Sequence, residues 1–299
     1  MRVATFANSD RMLTASLRTQ SRMAELQLQQ ASGSISTDYG GLGASARTLL
    51  LLEANMKTSE AYAGAASEAS GRVEVMVSTL STVTDLLTSF RSELTGAMST
   101  SRSDTADASL IATAGTYLEE LAGLLNVQFE GRYLFAGDAT GTAPVDLDGY
   151  TATSDAANTS YYFGDAAVAT LRIGSEQSVA YGVAADEVGF EQAFRALAQI
   201  AQASSLDDEA LTQAYDLLVS AIEDIIVVQS RLASQAATIE RSLERQDSYQ
   251  ALLETAISDL RDADVTVVAV KLASYETQLQ ASFSALAQVQ SLSLLDYLR

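Results

Sequence analysis

With 299 residues, 47% of them hydrophobic, the chain is long enough for two or three domains and can bury a sizeable core, so disorder from excess polarity is not the default expectation. It has no cysteine and no histidine, which removes disulfides, thiolate and imidazole chemistry and the usual zinc ligands. A net charge of −20 opposes phosphate backbones and anionic lipids, so neither nucleic acid nor a membrane is an expected partner. The longest apolar runs, such as Leu49–Leu52 and Ile225–Val228, are far too short to cross a bilayer.

Residues 1–32 read as an amphipathic helix whose apolar groups are Phe6, Met12, Leu13, Leu17, Met23, Leu26 and Leu28. Its first 24 residues carry Arg2, Arg11, Arg18 and Arg22 against Asp10 alone, a local reversal of the chain's charge. No apolar block follows those arginines, so a cleaved secretory signal is not expected. The pattern breaks at Gly33–Gly43 and resumes at Ala44. Val73, Met76, Leu80, Val83, Leu87, Phe90, Leu94 and Ala97 then keep a strict 4–3 spacing. Leu110, Ala114, Tyr117, Leu121 and Leu124 predict a third helix after a polar break at Ser99–Asp107.

From Gly131 to about residue 189 the texture changes to glycine, short aromatic or β-branched runs and the only proline, Pro144. Tyr133–Phe135, Tyr161–Phe163 and Ala169–Ile173 are expected strands. Phe190, Phe194, Leu197 and Ile200 restart the helical pattern. From Leu211 to Val267 an unbroken 4–3 repeat follows, with thirteen of seventeen positions apolar. Such a seam faces a partner helix over many turns, and at ~1.5 Å per residue it would run roughly 85 Å. Asp264 lies on that repeat and reads as its end, where the stripe passes to Val268. Leu272, Tyr275, Leu279, Phe283, Leu286 and Val289 continue a terminal helix.

The expected architecture is therefore mainly α. The N- and C-terminal regions form a long antiparallel coiled-coil rod, and a small β-rich unit is inserted at its far end. Three parts are expected: terminal coiled-coil segments 1–35 and 262–299, a helical rod domain 36–130 and 190–261, and the β-rich outer insertion 131–189.

Motifs for chemistry are weak. Asp146-Leu147-Asp148-Gly149 lacks the remaining ligands of a calcium loop and reads as a turn. Gly40-Gly41-Leu42-Gly43 lacks dinucleotide and phosphate-loop spacing. Glu119-Glu120 and Asp207-Asp208-Glu209 read as solvated faces or first-turn charges. No polar set converges, so the reading is not an enzyme, with no catalytic residue, cofactor or metal.

Several segments together resemble the flagellin superfamily. Met23–Gln27 through Ala31-Ser32-Gly33, Leu49–Glu53 and Val83–Leu87 are similar to its first helices. Asp264, Leu279–Ser282 and Ser293–Leu298 resemble its closing helix. Gly131-Arg132-Tyr133-Leu134-Phe135-Ala136-Gly137 looks like the start of the variable domain in the branch that joins hook to filament. The chain departs from the family where Asp-Asp-Pro becomes Asp38-Tyr39-Gly40, and where Arg-x-Asn survives only as Arg231 with Ala233.

The resemblance implies a structural subunit of the bacterial flagellum at the hook–filament junction, extracellular and exported without a cleaved signal. Its implied partners are copies of itself, hook-associated protein 1, flagellin, an export chaperone and the flagellar export apparatus. Its assembly interface would be Leu13, Leu17, Leu26, Leu272, Leu279, Phe283, Leu286, Leu295 and Leu298. Alternatives are a short flagellin and, more remotely, a coiled-coil adaptor or chaperone.

Overall fold

A computed structural model of the chain describes residues 2–99, 103–153 and 156–297, with side chains for 10–99, 103–153 and 156–288. Within them the helices are α1 (Arg2–Ser32), α2 (Ser45–Met98), α3 (Asp104–Leu125), α4 (Val188–Ala201), α5 (Asp208–Arg261) and α6 (Val265–Tyr297). Two antiparallel hairpins complete them: β1 (Gln128–Phe129) with β2 (Arg132–Tyr133), and β3 (Thr170–Arg172) with β4 (Ser178–Ala180). The fold is mainly α with a small β part. Its contacts divide it into two compact units, Met1–Thr58 with Tyr249–Arg299, and Ser59–Ser248.

In the Ser59–Ser248 unit the heptads do what their spacing predicts. Val73, Met76, Leu80, Val83, Leu87, Phe90 and Leu94 of α2 are all buried. On α5, Leu211, Leu218, Ile222, Ile225, Leu232 and Ile239 are buried along the same repeat. Each such side chain contributes about 1.5–3 kcal/mol by leaving water. The Phe90 ring meets Tyr117 of α3 at 5.2 Å. Gly189 lets α4 sit close on α5, since a Cβ there would stand 3.0 Å from Ile225 Cγ1.

The 131–189 segment is not a separate core. Leu134, Phe135, Val145, Tyr150, Tyr161, Leu171, Ile173, Tyr181 and Val183 belong to one buried cluster with the helices. The Tyr161 ring lies 4.2 Å from Phe194 of α4. The Ile173 carbonyl accepts from Ser242 Oγ at 3.4 Å and Gln246 Nε2 at 3.3 Å on α5. Apolar residues at irregular spacing fill the surface that the helices leave open, which a reading by periodicity alone cannot see. The expected strand at Tyr161–Phe163 is a single bridge, Tyr162 to Val145. Ala169–Ile173 does contain β3, and Tyr133 ends β2.

The Gly131–Gly137 stretch is explained by its ends. Glu130 and Gly131 both have positive φ, 52° and 75°, as a two-residue turn between β1 and β2 requires. At Gly137 φ is 68°, and a Cβ would stand 2.4 Å from the Asp165 carbonyl. Asp165 Oδ1 also accepts from Asp138 N at 2.8 Å and Ala167 N at 3.0 Å. Asp146-Leu147-Asp148-Gly149 is a turn, with Asp148 N donating to Asp146 Oδ1 at 2.9 Å.

In the other unit the long repeat stops before Val267. α5 ends at Arg261, and Asp264 starts α6 as an N-cap, its Oδ1 accepting from Thr266 N at 2.9 Å and Val267 N at 3.1 Å. Asp264 keeps the 4–3 spacing while breaking the helix, so spacing alone hides the break. Ile35 N donates to Arg261 O at 2.7 Å and Ala263 N to Gly33 O at 2.8 Å. This small antiparallel clasp joins the exits of α1 and α5. Asp38 caps one 3-10 turn, Tyr39–Leu42, accepting from Gly41 N at 2.8 Å.

Candidate assembly surface

α1 packs against α6, and the antiparallel bridge Ser34–Asp262 fixes their sense: the end of α1 adjoins the start of α6. Along α1 the covered line is Met12, Ser16, Thr19, Met23 and Leu26. Along α6 it is Val268, Leu272, Tyr275, Leu279, Ser282 and Leu286. Most of these are half-buried; only Ser16, at 3% exposed, and Val268, at 5%, are fully covered. The hydroxyls can face a partner helix because their own turn satisfies them. Ser16 Oγ donates to Met12 O at 3.0 Å and Thr19 Oγ1 to Ala15 O at 3.1 Å.

A second apolar line remains uncovered. Leu13 is 46% exposed, Leu17 56% and Leu28 60%, and Phe283 of α6 is 44% exposed. At ~100° per residue, Leu13, Leu17 and Leu28 lie roughly 100–160° round α1 from the Met12 line. The side facing away from them carries Arg11, Arg18 and Arg22, all exposed. At the clasp, the Ser258 hydroxyl at 2.7 Å and then the Arg261 guanidinium hold the Asp262 carboxyl below its usual range.

The residues expected at an assembly interface therefore fall into three groups. Leu26, Leu272, Leu279 and Leu286 line the α1–α6 seam inside one copy. Leu13, Leu17 and Phe283 stand outside it. The Leu295 side chain and the whole of Leu298 lie outside the described residues. Phe283 was expected on the terminal stripe, but Ser282 takes the seam position and Phe283 sits one residue off it. Ser16 and Thr19 belong to the seam and were missed, because a polar seam residue gives no hydropathy signal; Met12 was read as part of the apolar face but not placed at the interface. The signal that could have found them is spacing: 12, 16, 19, 23 and 26 keep the 4–3 rule.

Other polar groups serve the core. Glu191 is 3% exposed; it accepts from Asn158 N at 2.9 Å and pairs with Arg195 at 3.3 Å, tying the loop before β3 to α4. Arg231 pairs with Glu187 and so joins α5 to the start of α4. Among the described residues no cluster of three or more acidic, histidine or cysteine side chains could hold a metal ion. No described helix is long and apolar enough to cross a membrane.

Comparison with known proteins adds to this geometry. Residues 215–298 match the bacterial flagellin C-terminal helical region. Flagellar hook-associated protein 3 of Escherichia coli (strain K12) is 26% identical over 280 residues, which cover 84% of this chain and 84% of that protein. Among solved structures, FlgL of Bacillus cereus superposes with a TM-score of 0.58 at 16% identity, covering 70% of this chain and 99% of that one. Flagellar hook-associated protein 3 of Legionella pneumophila gives 0.58 at 15% identity, covering 70% and 98%. At those identities the superpositions speak for the fold.

Proposed function

We propose that this chain, a flagellin-superfamily protein resembling hook-associated protein 3, is a structural subunit of the bacterial flagellum and joins the hook to the filament. One observation of the structure carries the reading: α1 and α6 pair with each other and still leave a second apolar line, Leu13, Leu17 and Leu28, in water. A two-helix layer with uncovered faces on both sides of its seam is built to be finished by neighbours. The similarity to a hook-associated protein over most of both chains supports the same reading.

The partners that fit are other flagellar axial proteins. A junction subunit meets the hook side, hook-associated protein 1, on one surface and flagellin on another; before that it travels with an export chaperone to the export apparatus and ends outside the cell. The terminal segments 1–35 and 262–299 are the parts that assemble. A short flagellin is the second reading, favoured by the match of residues 215–298 to the flagellin C-terminal region. The two differ in whether self-assembly stops. A filament subunit polymerises indefinitely through a non-closing contact, whereas a junction subunit does not.

The test is a strain lacking this chain. It is expected to keep its hooks and to release flagellin monomers into the medium. The purified chain is expected to form no long filaments, even in sulfate, which strengthens apolar burial. Long regular filaments of this chain alone would assign it to the filament instead.

A further inference from the structure

The 146–149 turn sets a carboxyl group beside an unhindered backbone amide. Asp148–Gly149 is the only Asp–Gly pair in the chain, which has no Asn–Gly. Both residues are exposed. Tyr150 N closes the turn by donating to Leu147 O at 3.1 Å, so Asp148 and Gly149 are its two central residues. Gly149 holds a φ of 75°, and a Cβ there would meet nothing within 4 Å. Its N–H has no hydrogen-bond partner among the described residues. Without a side chain on Gly149, the approach of its nitrogen to the Asp148 carboxyl is open.

Both flanks of this turn are tied to the core. Asp146 N donates to Tyr161 O at 2.9 Å. Tyr150 is 5% exposed, and its ring lies 5.4 Å from Tyr161 and 6.4 Å from Phe194 of α4. Its carbonyl accepts from Gln202 Nε2 at 2.9 Å. A reactive, solvated pair therefore sits directly against a residue that packs the 131–189 segment onto the helices.

We propose that Asp148 is a site of spontaneous isomerisation to isoaspartate, and that the product loosens Tyr150 from the core. The Gly149 nitrogen attacks Cγ of the protonated Asp148 carboxyl. The N–Cγ bond forms, the Cγ–OH bond breaks, and the amide proton leaves with the hydroxyl as water. The result is a five-membered succinimide. Water then adds at one of its two carbonyls. Addition at Cγ restores aspartate; addition at the backbone carbonyl leaves the chain running through Cβ and Cγ, with the old backbone carbonyl now a free carboxylate. Nothing but water is exchanged, so no metal, oxidant or enzyme is needed. The neutral carboxyl is the reacting form, so the rate falls as pH rises past the ordinary carboxylate range of about 4. Isoaspartate adds one methylene to the main chain inside a two-residue reversal whose ends are both held. The Leu147–Tyr150 hydrogen bond and the seat of the Tyr150 ring bear that change. The proposal is independent of the assembly reading.

The test is to age the purified full chain at 37 °C, in buffer and in urea, at mildly acid and at neutral pH. Isoaspartate is read by peptide mass spectrometry and by methyl transfer from S-adenosylmethionine with protein isoaspartyl methyltransferase. The expected result is isoaspartate at 148 in the folded chain at a rate similar to that in urea, faster in mild acid, and none at that position in Asp148→Glu, whose longer side chain would have to close a six-membered ring. A folded rate below a tenth of the urea rate would show that the fold protects the pair and would overturn the site. So would an unchanged rate in mild acid and at neutral pH. The aged fraction, separated by ion exchange, is expected to melt several degrees below the unaged chain, whereas Asp148→Glu aged alongside keeps its midpoint. Equal midpoints for the isoaspartate and aspartate forms would overturn the loosening of Tyr150.

Discussion

Tyr150 and Tyr161 show how single groups set the conditions under which the Ser59–Ser248 unit is stable. Burial, and then the charge of Glu191, push the Tyr150 hydroxyl up to about 12, and burial pushes Tyr161 higher still. In an unfolded chain both sit at about 10. Because the folded values are raised, the fold favours the protonated rings. Their stabilisation is whole below about pH 10 and is lost as pH climbs from there through the folded values. The urea midpoint is therefore expected to hold steady to about pH 9 and fall steeply by pH 11. Tyr150→Phe should make that fall shallower. The same variant is expected to cost little at pH 7 or to add up to about 1 kcal/mol, because the Tyr150 hydroxyl is buried with no hydrogen-bond partner among the described residues. A loss of several kcal/mol at neutral pH would mean that the hydroxyl has a role the geometry does not reveal.

At the scale of elements, Leu17 and Leu279 separate two functions that the apolar stripes merge in sequence. Leu279 lines the seam inside one copy, whereas Leu17 points away from it. Leu279→Asp is expected to unpair α1 from α6 and raise hydrogen exchange along both, since a carboxylate in a desolvated seam costs several kcal/mol. Leu17→Asp is expected to leave that exchange unchanged and to lower incorporation into flagella. Equal exchange profiles for the two variants would refute the division into two faces. The α2 and α5 helices were legible in the sequence because large apolar residues hold the 4–3 rule there. α1 was legible as a helix but not as a seam, since Ser16 and Thr19 occupy covered positions. The end of the long repeat at Asp264 was legible, but its capping of α6 was not, because the 4–3 spacing runs on through it to Val267.

For the whole molecule, the segment 131–189 decides how much of the chain folds together. Its composition announced β-rich structure and turns. It did not announce that Val145, Tyr150, Tyr161, Ile173 and Tyr181 complete the helical core. Irregular loops carry no period, so nothing in the spacing says which face they cover. Replacing roughly 140–185 with a short Gly/Ser linker would uncover Phe190 and Phe194. The expected outcome is a lower melting midpoint and a clear loss of helical circular dichroism, because marginal stability cannot absorb the loss of so many buried side chains. An unchanged midpoint would return the segment to the status of an independent unit.

The β3–β4 hairpin has a practical consequence. Ile173 at the start of its turn is fixed against α5 and its N–H donates to Gln177 O at 2.9 Å, while the side chains of Ser175, Glu176 and Gln177 are exposed. Foreign sequence spliced between Ser175 and Glu176 would lengthen a turn without touching the core, and the closure entropy of a longer loop grows only slowly with its length. An epitope tag placed there is expected to leave motility intact and to be reached by antibody on whole cells. The molecule thus offers a handle by which the proposed place on the flagellum can be marked and tested.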